Sequence, residues 1–73
     1  MWIYRSPVGA FCIKRLPDGS YGLMRDSAVL ECSDNPQTEA DNVYMPVTGC
    51  SVWDSFDASG IDVPRDLSEW ESA

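Results

Sequence analysis

Apolar and polar positions alternate through residues 2–32 and then change period. Residues 2–5 read as a short strand stopped by Ser6 and Pro7, because proline fixes its own backbone and lacks an N–H. In residues 10–16, Phe11 and Ile13 share a face with Arg15, while Cys12, Lys14 and Leu16 fall on the other. That is the two-residue period of a strand. Pro17-Asp18-Gly19-Ser20 is a turn signal, since Pro presets φ and Gly accepts positive φ. Residues 21–26 follow at once as the return strand, so the pair is predicted to be a β-hairpin. Asp26-Ser27 suggests another tight turn, into a strand over residues 28–32.

From residue 33 the pattern becomes helical. Ser33, Asp34 and Asn35 are candidate N-caps and Pro36 suits the first helical position. Ala40, Val43, Tyr44 and Val47 repeat at helical spacing and form one apolar stripe. Glu39 and Asp41 flank it and are expected in water. Pro46 ends this helix, predicted over residues 36–45, and Thr48-Gly49 breaks away. Residues 50–56 read as a short strand or extended segment anchored by Val52 and Trp53, and residues 57–62 as loop. Pro64 opens a short helix over residues 64–71, with Val63, Leu67 and Trp70 on its apolar side and Asp66 and Glu69 outside. The predicted fold class is α+β: one domain over residues 1–73, with a three- to four-stranded antiparallel sheet, one packed helix and a short C-terminal helix.

Size makes this only just feasible, because 73 residues lie near the lower limit for a single hydrophobic core. At 44% hydrophobic, with three Trp, three Tyr and two Phe, the chain has the means to fold and lacks the composition of disorder. Little volume remains for an enclosed substrate pocket, which needs roughly 300 Å³. Charge alters the picture more. The net charge is −7, yet residues 1–30 carry four bases and two acids, whereas residues 31–73 carry ten acids and one base. Such asymmetry steers a positive partner toward the second part. It disfavours direct binding to nucleic acid, whose phosphates require Lys and Arg. Acids also keep a small protein in solution without further purpose.

Candidate chemistry is sparse. With no histidine, the usual base for an activated Ser or Cys is missing, and no local motif replaces it. Cys12, Cys32 and Cys50 are widely spaced, form no CxxC pair and read as reduced, partly buried apolar side chains rather than zinc ligands. The acidic stretch from Asp54 through Asp57 and Gly60 to Asp62 has the wrong spacing for a calcium loop, and Arg65 stands where a glutamate ligand belongs. Gly9, Gly19 and Gly22 mark turns or strands, not a phosphate cradle. Trp2, Phe11, Tyr21, Tyr44, Trp53 and Trp70 lack the interleaved bases needed to stack nucleobases, so they read as core. No catalytic residue, cofactor or metal is expected. Arg5, Lys14 and Arg15 interrupt any signal-like or membrane-spanning run, so the expected location is the cytoplasm and the expected state a monomer.

The acidic segment has one physical use that its cost suggests, since crowded like charges repel. DNA presents one charge per ~1.7 Å of axis. A row of Asp54, Asp57, Asp62, Asp66, Glu69 and Glu71, with Glu31, Asp34, Glu39 and Asp41 on the helix side, would imitate it and occupy a groove lined with Lys and Arg. Taken together, Pro7-Val8-Gly9 with Phe11 and Ile13, Asp18-Gly19, Ala40-Asp41 with Val43-Tyr44, Thr48-Gly49-Cys50 with Trp53-Asp54, and the tail Pro64 with Asp66-Leu67-Ser68-Glu69-Trp70-Glu71 resemble a family of small uncharacterised proteobacterial and phage proteins. That resemblance covers most of the chain and implies one folded unit, with no activity to transfer. By type, the chain also resembles the small acidic anti-CRISPR proteins that mimic DNA. This likeness implies a non-enzymatic inhibitor whose partner is a basic nucleic-acid-binding protein, such as the large PAM-recognising subunit of type I-C Cascade. The competing expectation is an accessory protein that binds a protein partner through an apolar aromatic patch around Trp53 or Trp70.

Overall fold

The alternation in the first part of the chain builds an antiparallel meander. A computed structural model describes residues 1–26, 28–57 and 60–73. Strands β1 (Trp2–Ser6), β2 (Gly9–Arg15), β3 (Tyr21–Arg25) and β4 (Ala28–Ser33) are each hydrogen-bonded to the next. Tight turns set the register. Between β1 and β2, the Ser6 hydroxyl accepts from the Val8 amide and donates to the Gly9 carbonyl. Gly9 sits at φ +120, where a side chain would be strained. The predicted turn between β2 and β3 is closed by the Leu16 amide donating to the Ser20 carbonyl at 2.7 Å. Asp18 buttresses it by accepting from the Ser20 amide and hydroxyl. Of the predicted Asp26-Ser27 turn, Asp26 adopts φ 56, and Ser27 lies outside the described residues.

Helix α1 (Pro36–Tyr44) starts where its capping chemistry places it. Asn35 is the N-cap, its side chain accepting from the Gln37 amide at 3.0 Å, with Pro36 in the first turn. Three expectations are corrected beyond it. Residues 50–56 are not extended: helix α2 (Ser51–Asp54) forms there, its first turn closed by the Trp53 and Asp54 amides on the Cys50 carbonyl. The helix expected over residues 64–71 contracts to a 3-10 turn, Leu67–Glu69, capped by the Asp66 carboxylate. The chain then continues as β5 (Glu71–Ser72), antiparallel to β1, giving five strands in the order β4-β3-β2-β1-β5. Elements of two to four residues are too short for any hydrophobic period to reveal.

The sheet has one covered and one open face. On the covered face Phe11, Ile13 and Leu23 are fully buried beneath Ala40, Val43, Cys50, Trp53 and Trp70. Trp53 is the centre of this layer. Its ring meets Phe11 edge-on at 5.3 Å, and its indole N–H donates to the Val43 carbonyl at 2.9 Å. Pairing therefore puts Ile3, Cys12, Met24 and Val29, with Arg5 and Lys14, on the open face. Among the described residues no helix is long and apolar enough to cross a membrane.

The apolar stripe of α1 differs from expectation by one turn. Ala40 and Val43 are buried, but Tyr44 and Val47 are exposed. The helix ends at Tyr44, so Val47 is not part of it. The inward side is filled one turn earlier, by Pro36 and Glu39. Glu39, expected in water, has no exposed surface.

Candidate binding surface

The segment covering the sheet, residues 34–70, holds eight acids and one base. Of the four bases in the strands, Arg5 and Lys14 project from the open face, whereas Arg15 shares the side of Ile13 and Arg25 that of Phe11, where it donates to the Val8 carbonyl. Folding thus gathers an excess of acids on the covering layer without separating the two signs of charge completely. The ten acids expected to form a single row do not all reach that surface.

Glu39 is excluded by burial. Both carboxyl oxygens are enclosed without a hydrogen-bond partner. Burial pushes this carboxyl up to about 7, the Glu31 carboxylate adds to the rise, and the Leu23 backbone offsets only part of it. Glu31 faces inward from β4, half-buried, and accepts from the Asn42 amide at 2.8 Å. Asp54 is committed to local structure. It accepts from the Thr48 amide and hydroxyl and the Gly49 amide, each at 2.9 Å, and so closes the loop between α1 and α2 over the buried Thr48. Glu71 belongs to the other side, where its carboxylate pairs with Arg5 at 3.2 Å along the β1–β5 edge.

Six of the ten are exposed within the covering layer: Asp34, Asp41, Asp57, Asp62, Asp66 and Glu69. Asp66 spends one oxygen on capping the Ser68 amide. Asp41 accepts from the Gln37 side chain at 2.9 Å. Gln37 gave no signal in the sequence, yet it ties the layer together. Its amide also donates to the Arg65 carbonyl at 3.2 Å, and its oxygen accepts from the Leu67 amide at 3.1 Å. The tail is thereby held against α1, which fixes Asp66 and Glu69 relative to Asp34 and Asp41.

Beside this joint lies an open recess of about 390 Å³ lined by Tyr44, Ile61, Asp62 and Val63. The Arg65 guanidinium stands 5.1 Å above the Tyr44 ring. The aromatic patch expected around Trp53 or Trp70 is not a surface, because the two rings are 1% and 5% exposed. They are core, as indole size and the neighbouring Tyr4 and Phe11 rings dictate. The three thiols are free. Cys50 is buried and Cys12 half-buried, but Cys32 is exposed at the sheet edge, contrary to its expected partial burial. Among the described residues no group of three or more Cys, Asp or Glu side chains converges as a metal site would require. No family model, curated protein or solved structure matches this chain.

Proposed function

We propose that this chain is a non-catalytic binding domain that lays its acidic layer into the basic groove of a nucleic-acid-binding protein and so displaces the nucleic acid. The observation that carries this reading is the acidic excess of the covering layer: six exposed acids stand there with one exposed base, Arg65, while Arg5 and Lys14 leave from the opposite face of the sheet. Asp34, Asp41, Asp57, Asp62, Asp66 and Glu69 are the residues that act, each exposed on α1 or the segments around it. Their carboxylates stand in for phosphates, and the partner's Lys and Arg supply the complementary field. In its most concrete form the protein is an anti-CRISPR inhibitor, acting as a monomer in a bacterial cytoplasm on the large PAM-recognising subunit of type I-C Cascade.

The mechanism makes association fast and salt-dependent, because steering by many separated charges weakens within a Debye length of about 8 Å at physiological salt. Purified type I-C Cascade is incubated with target DNA and increasing amounts of the protein, at low and at high salt. Loss of DNA binding at low salt, relieved at high salt, supports the reading. Undiminished DNA binding at both salts removes Cascade as the partner.

A further inference from the structure

Among the exposed acids of the covering layer, Asp62 stands in a concavity. It lines the open recess together with Tyr44, Ile61 and Val63, so a carboxylate, an aromatic ring and two branched apolar side chains meet in one concave place. Tyr44 and Ile61 are two of the large apolar side chains the fold leaves exposed, at 40% and 36%. Exposed apolar area beside an unpaired carboxylate suits a ligand that is cationic at its tip and apolar along its stem. The Arg65 contact shows that the Tyr44 ring already takes a guanidinium, through attraction of the cation to the ring face. Asp62 forms no ion pair with Arg65 or any other described base, so its charge is left for an incoming group.

We infer that the recess formed by Tyr44, Ile61, Asp62 and Val63 is an anchor site for an arginine side chain on a basic partner segment. The guanidinium pairs with Asp62, while its methylene stem and the apolar residue beside it lie along Ile61 and Val63. The occupant follows from charge complementarity. The exposed charges of the layer are six acids and one base, and that base, Arg65, already lies on the Tyr44 ring. The excess of acids repels an acidic segment, whereas arginine offers a planar, always-charged fork for the Asp62 carboxylate together with an apolar stem. This inference deepens the proposed function: diffuse acids steer the partner, and the recess fixes one of its side chains in register.

The test uses blocked tripeptides and the whole chain, followed by NMR. Titration of arginine-leucine-arginine is expected to shift the resonances of Tyr44, Ile61, Asp62 and Val63 saturably, with glutamate-leucine-glutamate giving none. Asp62→Asn is expected to weaken the arginine peptide about fivefold. Tyr44→Leu, which keeps the apolar volume, is expected to weaken it as well. Shifts spread evenly over Asp34, Asp41 and Glu69, or equal affinity for the Asp62→Asn protein, overturn the anchor. Because the peptide experiment involves no Cascade, the two ideas fail separately. A protein that blocks DNA binding yet seats no peptide keeps the acidic layer and loses the anchor.

Discussion

Glu39→Gln separates the cost of burying a carboxylate from every other acidic effect in this molecule. Glu39 has no exposed surface and both its oxygens lack partners. Its carboxyl is held near 7 instead of 4.5, chiefly by burial and then by Glu31. A value raised in the folded state means that folding favours the protonated form. The associated stability is complete below about 4.5 and is lost as pH rises through about 7. At roughly 1.4 kcal/mol for each pH unit between the two values, the loss approaches about 3 kcal/mol by pH 8. That is a large part of the stability of a domain of this size. The window is clean, because the chain has no histidine. Asp18, whose value is lowered by its hydrogen bonds to Ser20, contributes stability that is lost only as pH falls through the acid range below that window. The glutamine variant keeps the shape and removes the ionisation. Urea unfolding, followed by the fluorescence of buried Trp53 and Trp70, is measured at pH 5, 6, 7 and 8. The natural chain is expected to lose stability across this series, and Glu39→Gln to stay nearly level and exceed it at pH 8. Parallel slopes for the two proteins would refute the assignment of the buried charge to Glu39.

Two further perturbations probe how the acidic layer is built. Asp54→Asn replaces a carboxylate that accepts three hydrogen bonds from Thr48 and Gly49, and is expected to cost about 2–3 kcal/mol in urea unfolding, because the amide removes the charge, keeps one acceptor oxygen and turns its N–H₂ toward a donor that the second carboxylate oxygen had paired. Asn35→Ala removes the cap on α1 and is expected to cost about 1 kcal/mol in the same assay. An effect of Asn35→Ala well above that of Asp54→Asn would contradict the view that the loop clamp, and not the helix cap, holds the layer in place.

The sequence was informative wherever a side-chain period ran for at least a hairpin or two helical turns. Phe11 and Ile13 alternate cleanly with Cys12 and Lys14, and both buried positions follow from that alone. Asn35-Pro36 marked the start of α1 because capping is local chemistry. The helical phase is not legible locally, since Val47 continues the apolar stripe although the chain has already left the helix at Tyr44. Once the stripe is set back one turn, Glu39 must face the core, and only tertiary packing reveals this. Asp54 looked like any other surface acid because its partners at Thr48 and Gly49 become donors only when the loop folds back. The strand at Glu71 and Ser72 is a pairing across the whole chain, with the Ala73 amide reaching the Met1 carbonyl at 2.8 Å, and two residues carry no local signature of it. The charge asymmetry was legible from composition, whereas the place where the exposed acids gather depended on which side of the sheet the later segment covers.

The central claim is that the outward acids of the covering layer, and not acidity in general, engage the partner. The most direct measurement compares the natural chain with a variant carrying Asp34→Asn, Asp41→Asn, Asp62→Asn and Glu69→Gln in the Cascade–DNA competition, with circular dichroism showing that both are folded. All four residues lie on the exposed side of the layer, and the fold gives none of them a core or loop-clamping role. The natural chain is expected to displace DNA and the folded variant is not. Equal displacement by the two proteins would contradict the claim.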